Sequence, residues 1–229
     1  MSRRHTFPPR AEAVFRGSGL FVRTRLLLAC GVAAPLLALV STLAAVTAYP
    51  RFDPARQYLS ELGGASAGAP VIFNAGVFAA GFLAALGGVG FGLAIATLTG
   101  ARLIGGLTTA VFILAGGGMT RAALFPWPDP RHLAINLALG IQLAPLLLLC
   151  GLWPRRDVGG LKWFLAAAFL AMAGLTLLTK HLVIPGLVND FNVGWWERGY
   201  AIILVGWVGI AAFLLERRLR YEPPALKTA

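Results

Sequence analysis

The sequence predicts an all-α polytopic membrane protein, a bundle of six transmembrane helices with both termini cytoplasmic, on three observations. Hydrophobic residues make up 58% of the 229-residue chain and charged residues 13%, against roughly 45–50% and about 25% in soluble domains. Six uncharged apolar stretches divide the chain almost end to end, each close to the roughly 20 residues needed to cross a hydrocarbon core of about 30 Å. The basic residues fall in short clusters between these stretches. A backbone in lipid must satisfy its own polar groups, so apolar runs of this length are helices. Six spans use up the chain, which leaves one transmembrane domain at 26–216. It is flanked by a basic leader, 1–25, expected to be disordered and cytoplasmic, and a basic cytoplasmic tail, 217–229.

The first span runs from Leu26 to Ala48. Val46-Thr47-Ala48 has the small residues of a signal-peptide cleavage site, but the apolar stretch exceeds the 7–15 residues of such a segment, which favours a retained anchor. The second span opens at Pro70, suited to a first helical turn, and continues to Thr99. The third covers Leu103–Ala123, the fourth Leu133–Trp153, the fifth Trp163–Val183 and the sixth Gly199–Leu215. Pro35 and Pro145 interrupt the first and fourth spans and are expected to kink them. Gly88 and Gly92, four residues apart, lie in one of two glycine-rich runs that suit close helix contact in lipid.

Of the twenty lysines and arginines, fourteen fall on the side that holds both termini. By the positive-inside bias that side is the cytoplasm. The net charge of +11 is therefore read as membrane orientation, with no nucleic-acid surface. Cys30 and Cys150 lie in apolar runs and support neither a disulfide nor a metal framework. Trp127, Trp153, Trp163, Trp195 and Trp196 fall where interfacial aromatic belts belong.

The outer connections differ in kind. They gather carboxylates, amides and histidines, the groups used for binding and acid–base work. Asp53, Glu61, Asp129 and His132 are the candidate acid–base residues. Ser60, Asn74, Arg121, Asn136, Lys180 and His181 are candidate ligand contacts. Polar groups at the depth of Asn74, Asn136 and Arg121 are costly in lipid and must find partners.

Three short patterns carry a family resemblance: Ser60-Glu61-Leu62-Gly63, Phe73-Asn74-Ala75-Gly76 at the entry to the second span, and Phe125-Pro126 followed by Asp129 and His132. With these the chain resembles the six-span prokaryotic membrane family catalogued as domain of unknown function 998, over roughly residues 25–216. More distantly it is similar to the six-span Frag1, DRAM and Sfk1 type. The resemblance implies a six-helix bundle and, through the distant group, a connection with lipids. The family's turn has a single residue between proline and aspartate, whereas here Trp127-Pro128 intervene.

Several chemistries compete for these residues. Ser60, His132 and Asp129 have the types of a nucleophilic triad, but no Gly-x-Ser-x-Gly elbow is present. The alternative is that Ser60 and His132 cap helix starts. His132 and His181 with a carboxylate have the types of a metal site, but paired spacing is lacking and no metal is assigned. Arg121, Lys180 and Arg198 suit a phosphate headgroup or internal salt bridges. No motif names a cofactor or fixes a reaction. The leading expectation is an inner-membrane protein with an outward polar cavity that binds or modifies a lipid or small amphiphile. A small transporter or channel, and a non-catalytic assembly partner forming homo-oligomers, are the alternatives.

Overall fold

The computed structural model describes residues 9–132 and 137–221, with side chains over 19–132 and 140–221. The regular elements in these residues are helical: α1 Pro9–Thr47, α2 Pro70–Thr99, α3 Arg102–Leu124, α4 Ala144–Gly151, α5 Gly159–Thr179 and α6 Val193–Arg220, with short 3-10 helices between them. α2 lies along both α1 and α3, α6 packs on α1 and on α5, and α4 bridges α3 and α5. Five stretches are long and apolar enough to cross a membrane: Gly19–Thr47, Pro70–Thr99, Arg102–Leu124, Arg156–Thr179 and Val193–Arg220.

The fourth apolar run departs from expectation. Among the described residues of the run Leu133–Trp153, Leu137–Leu143 form a 3-10 helix and only the eight residues of α4 are α-helical. Among the described residues the helices of membrane length therefore number five, not six. Pro145 supplies a reason. Inside a helix a proline removes one hydrogen bond and clashes with the preceding turn, at a cost of about 3 kcal/mol or more, whereas in the first turn neither penalty applies. α4 begins at Ala144 with Pro145 in its first turn, so this proline opens a helix where a kink was expected. Pro35 does lie inside α1. Its ring occupies a notch in α6, where a Cβ on Gly209 would come 2.8 Å from the Pro35 Cγ.

The leader also differs from expectation, because α1 starts at Pro9 and is helical through residues expected to be disordered. Extending an existing helix costs far less than nucleating one, and tertiary contacts hold this turn. Thr24 is buried, its hydroxyl donates to the Leu20 carbonyl at 2.8 Å, and Arg25 Nε pairs with Glu216 at 2.8 Å. That ion pair places the Arg25 turn of α1 and the end of α6 at one end of the bundle. The turn before α5 sits there too, since Asp157 accepts from Arg155 at 2.7 Å and from Arg218 Nε at 2.6 Å. Connections 49–69, 125–132 and 180–192 occupy the opposite end. Trp153 and Trp163 are exposed at the first end and Trp127 and Trp195 at the second, as interfacial belts would be.

Between the ends α1, α2 and α3 come into backbone contact. A methyl group on Gly87 would lie 2.6 Å from the Cα of Gly31, one on Gly92 would lie 2.5 Å from the Gly105 carbonyl oxygen, and one on Gly116 would lie 2.3 Å from that of Gly81. The Phe112 side chain fills the space over Gly88. Its ring packs at a tilt against Phe91 at 5.1 Å and against the buried Trp207 at 5.9 Å between ring centroids, forming the middle of the core. A wholly apolar cavity of about 120 Å³ lies beside it, walled by Pro35, Ala80, Phe112, Ile141 and Val208.

This packing separates glycines that matter from those that do not. Gly92→Ala forces a methyl against a backbone oxygen and is expected to lower stability by about 1–3 kcal/mol. Gly106→Ala, whose Cβ would meet nothing within 4 Å, should be neutral or slightly stabilising, because alanine is the better helix former. Thermal unfolding of the two variants in detergent checks the contrast.

Candidate functional site

The connection between α1 and α2 is a self-bonded loop. The Asp53 amide donates to Gln57 Oε1 at 2.7 Å, and the Asp53 carboxylate accepts from the Ala55 amide at 2.9 Å. Gln57 Nε2 donates to Glu61 Oε2 at 2.9 Å, and the Tyr58 amide donates to Glu61 Oε1 at 2.8 Å. Glu61 thus caps the 3-10 helix Leu59–Gly63, satisfying an amide that the helix start would leave bare. The cap expected of Ser60 is made by Glu61, and the Ser60 hydroxyl has no hydrogen-bond partner among the described residues.

Four other segments clamp this loop. From α6, the Gly194 amide donates to the Ala55 carbonyl at 2.8 Å, and the half-buried Glu197 carboxylate accepts from the Leu59 amide at 2.5 Å. Arg198 Nη1 donates to the carbonyls of Gln57 at 3.0 Å and Gly194 at 2.7 Å. Its guanidinium lies 4.9 Å from the Phe52 ring centre, and its Nη2 is buried without a partner in the described residues. From α2, Asn74 Nδ2 donates to the Gly63 carbonyl at 2.9 Å. From the third connection, the Trp127 carbonyl oxygen would stand 2.9 Å from a Cβ on Gly64. Arg56 over the Phe191 ring, at 4.9 Å, ties in the segment before α6.

The third connection has its own geometry. Arg131 grips Asp129 bidentately, Nε to Oδ1 at 2.9 Å and Nη2 to Oδ2 at 2.7 Å. These bonds, with one from the Arg131 amide, hold the Asp129 pKa down at about 2. Asp129 is therefore a permanent anion at neutral pH and no proton donor. His132 Nδ1 lies 2.9 Å from the Phe125 carbonyl oxygen and 3.2 Å from that of Ala122. A carbonyl only accepts, so Nδ1 carries the hydrogen and, in the neutral ring, Nε2 is the basic nitrogen. His132 caps the end of α3, not the start of its own turn. Asp129 does not orient the imidazole, so Ser60, His132 and Asp129 do not form a triad. Glu197 lies within electrostatic reach of Glu61, Arg198 and His132.

A family model described as Protein of unknown function (DUF998) matches residues 32–214. The chain belongs to that family. No curated protein and no solved structure matches it. The DUF998 match takes in every segment of the clamp, from the end of α1 to the start of α6.

The remaining candidates of the DUF998 chain lie elsewhere. Lys180 and His181 end α5. His181 has φ 57°, and the Leu182 and His181 amides donate to the carbonyls of Leu177 at 3.0 Å and Leu178 at 3.1 Å. This is the left-handed helix stop usually given to glycine, so His181 has a structural task away from His132. Arg121 lines a groove between α2 and α3 instead of joining the clamp, with no polar partner among the described residues. Asn136 lies outside the described residues. Among those residues no group of three or more His, Cys, Asp or Glu is arranged to hold a metal ion. Two features were not singled out from the sequence. One is the hub of the clamp, where Glu197 and Arg198, expected as a salt-bridge partner and an anion contact, bond instead to the backbone of the loop at Leu59 and Gln57. The other is an intramembrane triad in which Gln142 bonds to Tyr200 and accepts from Thr176 at 3.2 Å.

Two measurements follow. In ¹³C NMR titration the Asp129 carboxyl should show its pKa near 2, and Arg131→Gln should move it up toward the ordinary carboxylate value. Because the folded value is the lower one, the pair's contribution to stability is complete above about pH 4 and is lost as pH falls toward 2. At the α5 stop, His181→Gly should unfold at the wild-type temperature or higher, and His181→Val should lose about 1 kcal/mol in thermal melts.

Proposed function

We propose that this DUF998 protein is a six-crossing bacterial inner-membrane protein with cytoplasmic termini, and that its outer polar cap binds the head of a lipid or small amphiphile. The observation that carries this reading is the convergence of four segments on one loop. It gathers Glu61, Glu197, Arg198 and His132 directly above an apolar bundle. Ionisable groups held at the edge of lipid are costly and mark functional sites. The His132 Nε2 and the buried Arg198 Nη2 are a base and a donor that have no partner among the described residues. An amphiphile suits the setting, because its polar end would meet this cap while its chains remain among the apolar helices. The crossing count is supported by the path of the chain, since His132 lies against the end of α3 and Asp157 against the end of α6, with the broken fourth run between them. The basic residues set the orientation through the positive-inside bias.

The transporter alternative has little support, because the middle of the bundle is closed by Phe91, Phe112 and Trp207. The buried hydroxyls of Ser41 and Thr108 are turned back onto their own helices. The cap reading is tested with His132→Gln and Glu197→Gln, which keep size and an acceptor. Both should reach wild-type levels in the membrane, while amphiphile retained on the purified protein, measured by lipid mass spectrometry, falls about fivefold, equivalent to about 1 kcal/mol. A wild-type profile in both would reject the cap.

A further inference from the structure

Arg121 is a charge on the surface of the bundle that the clamp does not use. It stands three residues before the end of α3, about 5 Å along the axis at 1.5 Å per residue, where an interfacial level is expected for a helix that spans a bilayer. Its guanidinium has neither ion pair nor hydrogen bond among the described residues. A cation at that depth is costly unless an anion meets it, and no carboxylate in the described residues does so.

Below it runs a groove of about 400 Å³ between α2 and α3. Phe82 and Ile113 wall it with 61% and 49% of their surfaces exposed, and Ala85, Gly117 and Thr120 line it, with Arg121 at one end. The groove is open because Gly117 has no side chain and nothing lies within 4 Å of where its Cβ would be. Its only charged lining group is Arg121. The arrangement therefore has two parts, an apolar channel along the helices and a planar cation at its headgroup end. A guanidinium binds a phosphate through two parallel hydrogen bonds, which lysine cannot do.

We propose that this groove seats one acyl chain of an anionic phospholipid, with the lipid phosphate held by Arg121. The inference rests on the amphiphile reading and gives it a chemical class and a second position, separate from the cap. Gly117 sets the width of the chain slot, and Arg121 sets the preference for a negative headgroup.

The test is native mass spectrometry of the full chain in detergent, titrated with phosphatidylglycerol or with phosphatidylcholine of the same chains. The wild type should prefer phosphatidylglycerol. Arg121→Gln should lose that preference, with about a tenfold weaker phosphatidylglycerol affinity. Gly117→Leu should melt like the wild type yet weaken both lipids by filling the slot, and Arg131→Gln should change nothing. Equal affinity of the wild type for the two lipids, or wild-type binding by either Arg121→Gln or Gly117→Leu, would overturn the proposal. If His132→Gln and Glu197→Gln still lower retained amphiphile in that event, the cap reading survives without the groove. If they do not, both fall.

Discussion

The bundle depends on backbone-to-backbone contact between helices that gain nothing from burying apolar surface. Lipid tails solvate leucine as well as another leucine does, so association in a bilayer rests on fit and on the few polar bonds between helices. α2 meets this constraint by exposing glycine on two faces, Gly87 toward Gly31 of α1 and Gly92 toward Gly105 of α3. Once those three helices are fixed, Phe91 and Phe112 have one place to meet, and Trp207 of α6 closes over them.

The polar end inherits its geometry from that packing. α2 presents Asn74 to Gly63 and α6 presents Glu197 and Arg198 to Leu59 and Gln57, so the loop's shape is set by helices already locked together. Most of these bonds join side chains to backbone groups. They fix the path of the loop and, among the described residues, leave His132 Nε2 and Arg198 Nη2 without a partner. A site built this way is rigid before any ligand arrives, which lowers the ordering cost of binding.

The helical membrane class, the glycine contacts and the family could be read in the sequence because each leaves a local trace. Apolar runs have a length, small residues recur at fixed spacing, and Ser60-Glu61-Leu62-Gly63 with Phe73-Asn74 forms a recognisable pattern. The broken fourth run was not legible, because its apolar composition is that of a helix and only the position of Pro145 distinguishes the two outcomes. The roles within the cap were hidden for another reason. Whether Asp129 faces His132 or Arg131 is decided by a turn of a few residues, and a one-letter pattern does not encode which way that turn points. The helical leader was missed because Arg25 finds Glu216, 191 positions away.

The loosely wound segment at Leu137–Leu143 has a consequence for how far the chain reaches. A 3-10 helix advances about 2.0 Å per residue and an α-helix about 1.5 Å, so these seven residues cover about 14 Å where an α-helix would cover about 10.5 Å. The same number of residues thereby spans a greater thickness than it would as an α-helix. The eclipsed stacking that such winding imposes weakens its internal bonds, and Gln142, tethered to Thr176 and Tyr200, anchors the stretched strut to α5 and α6.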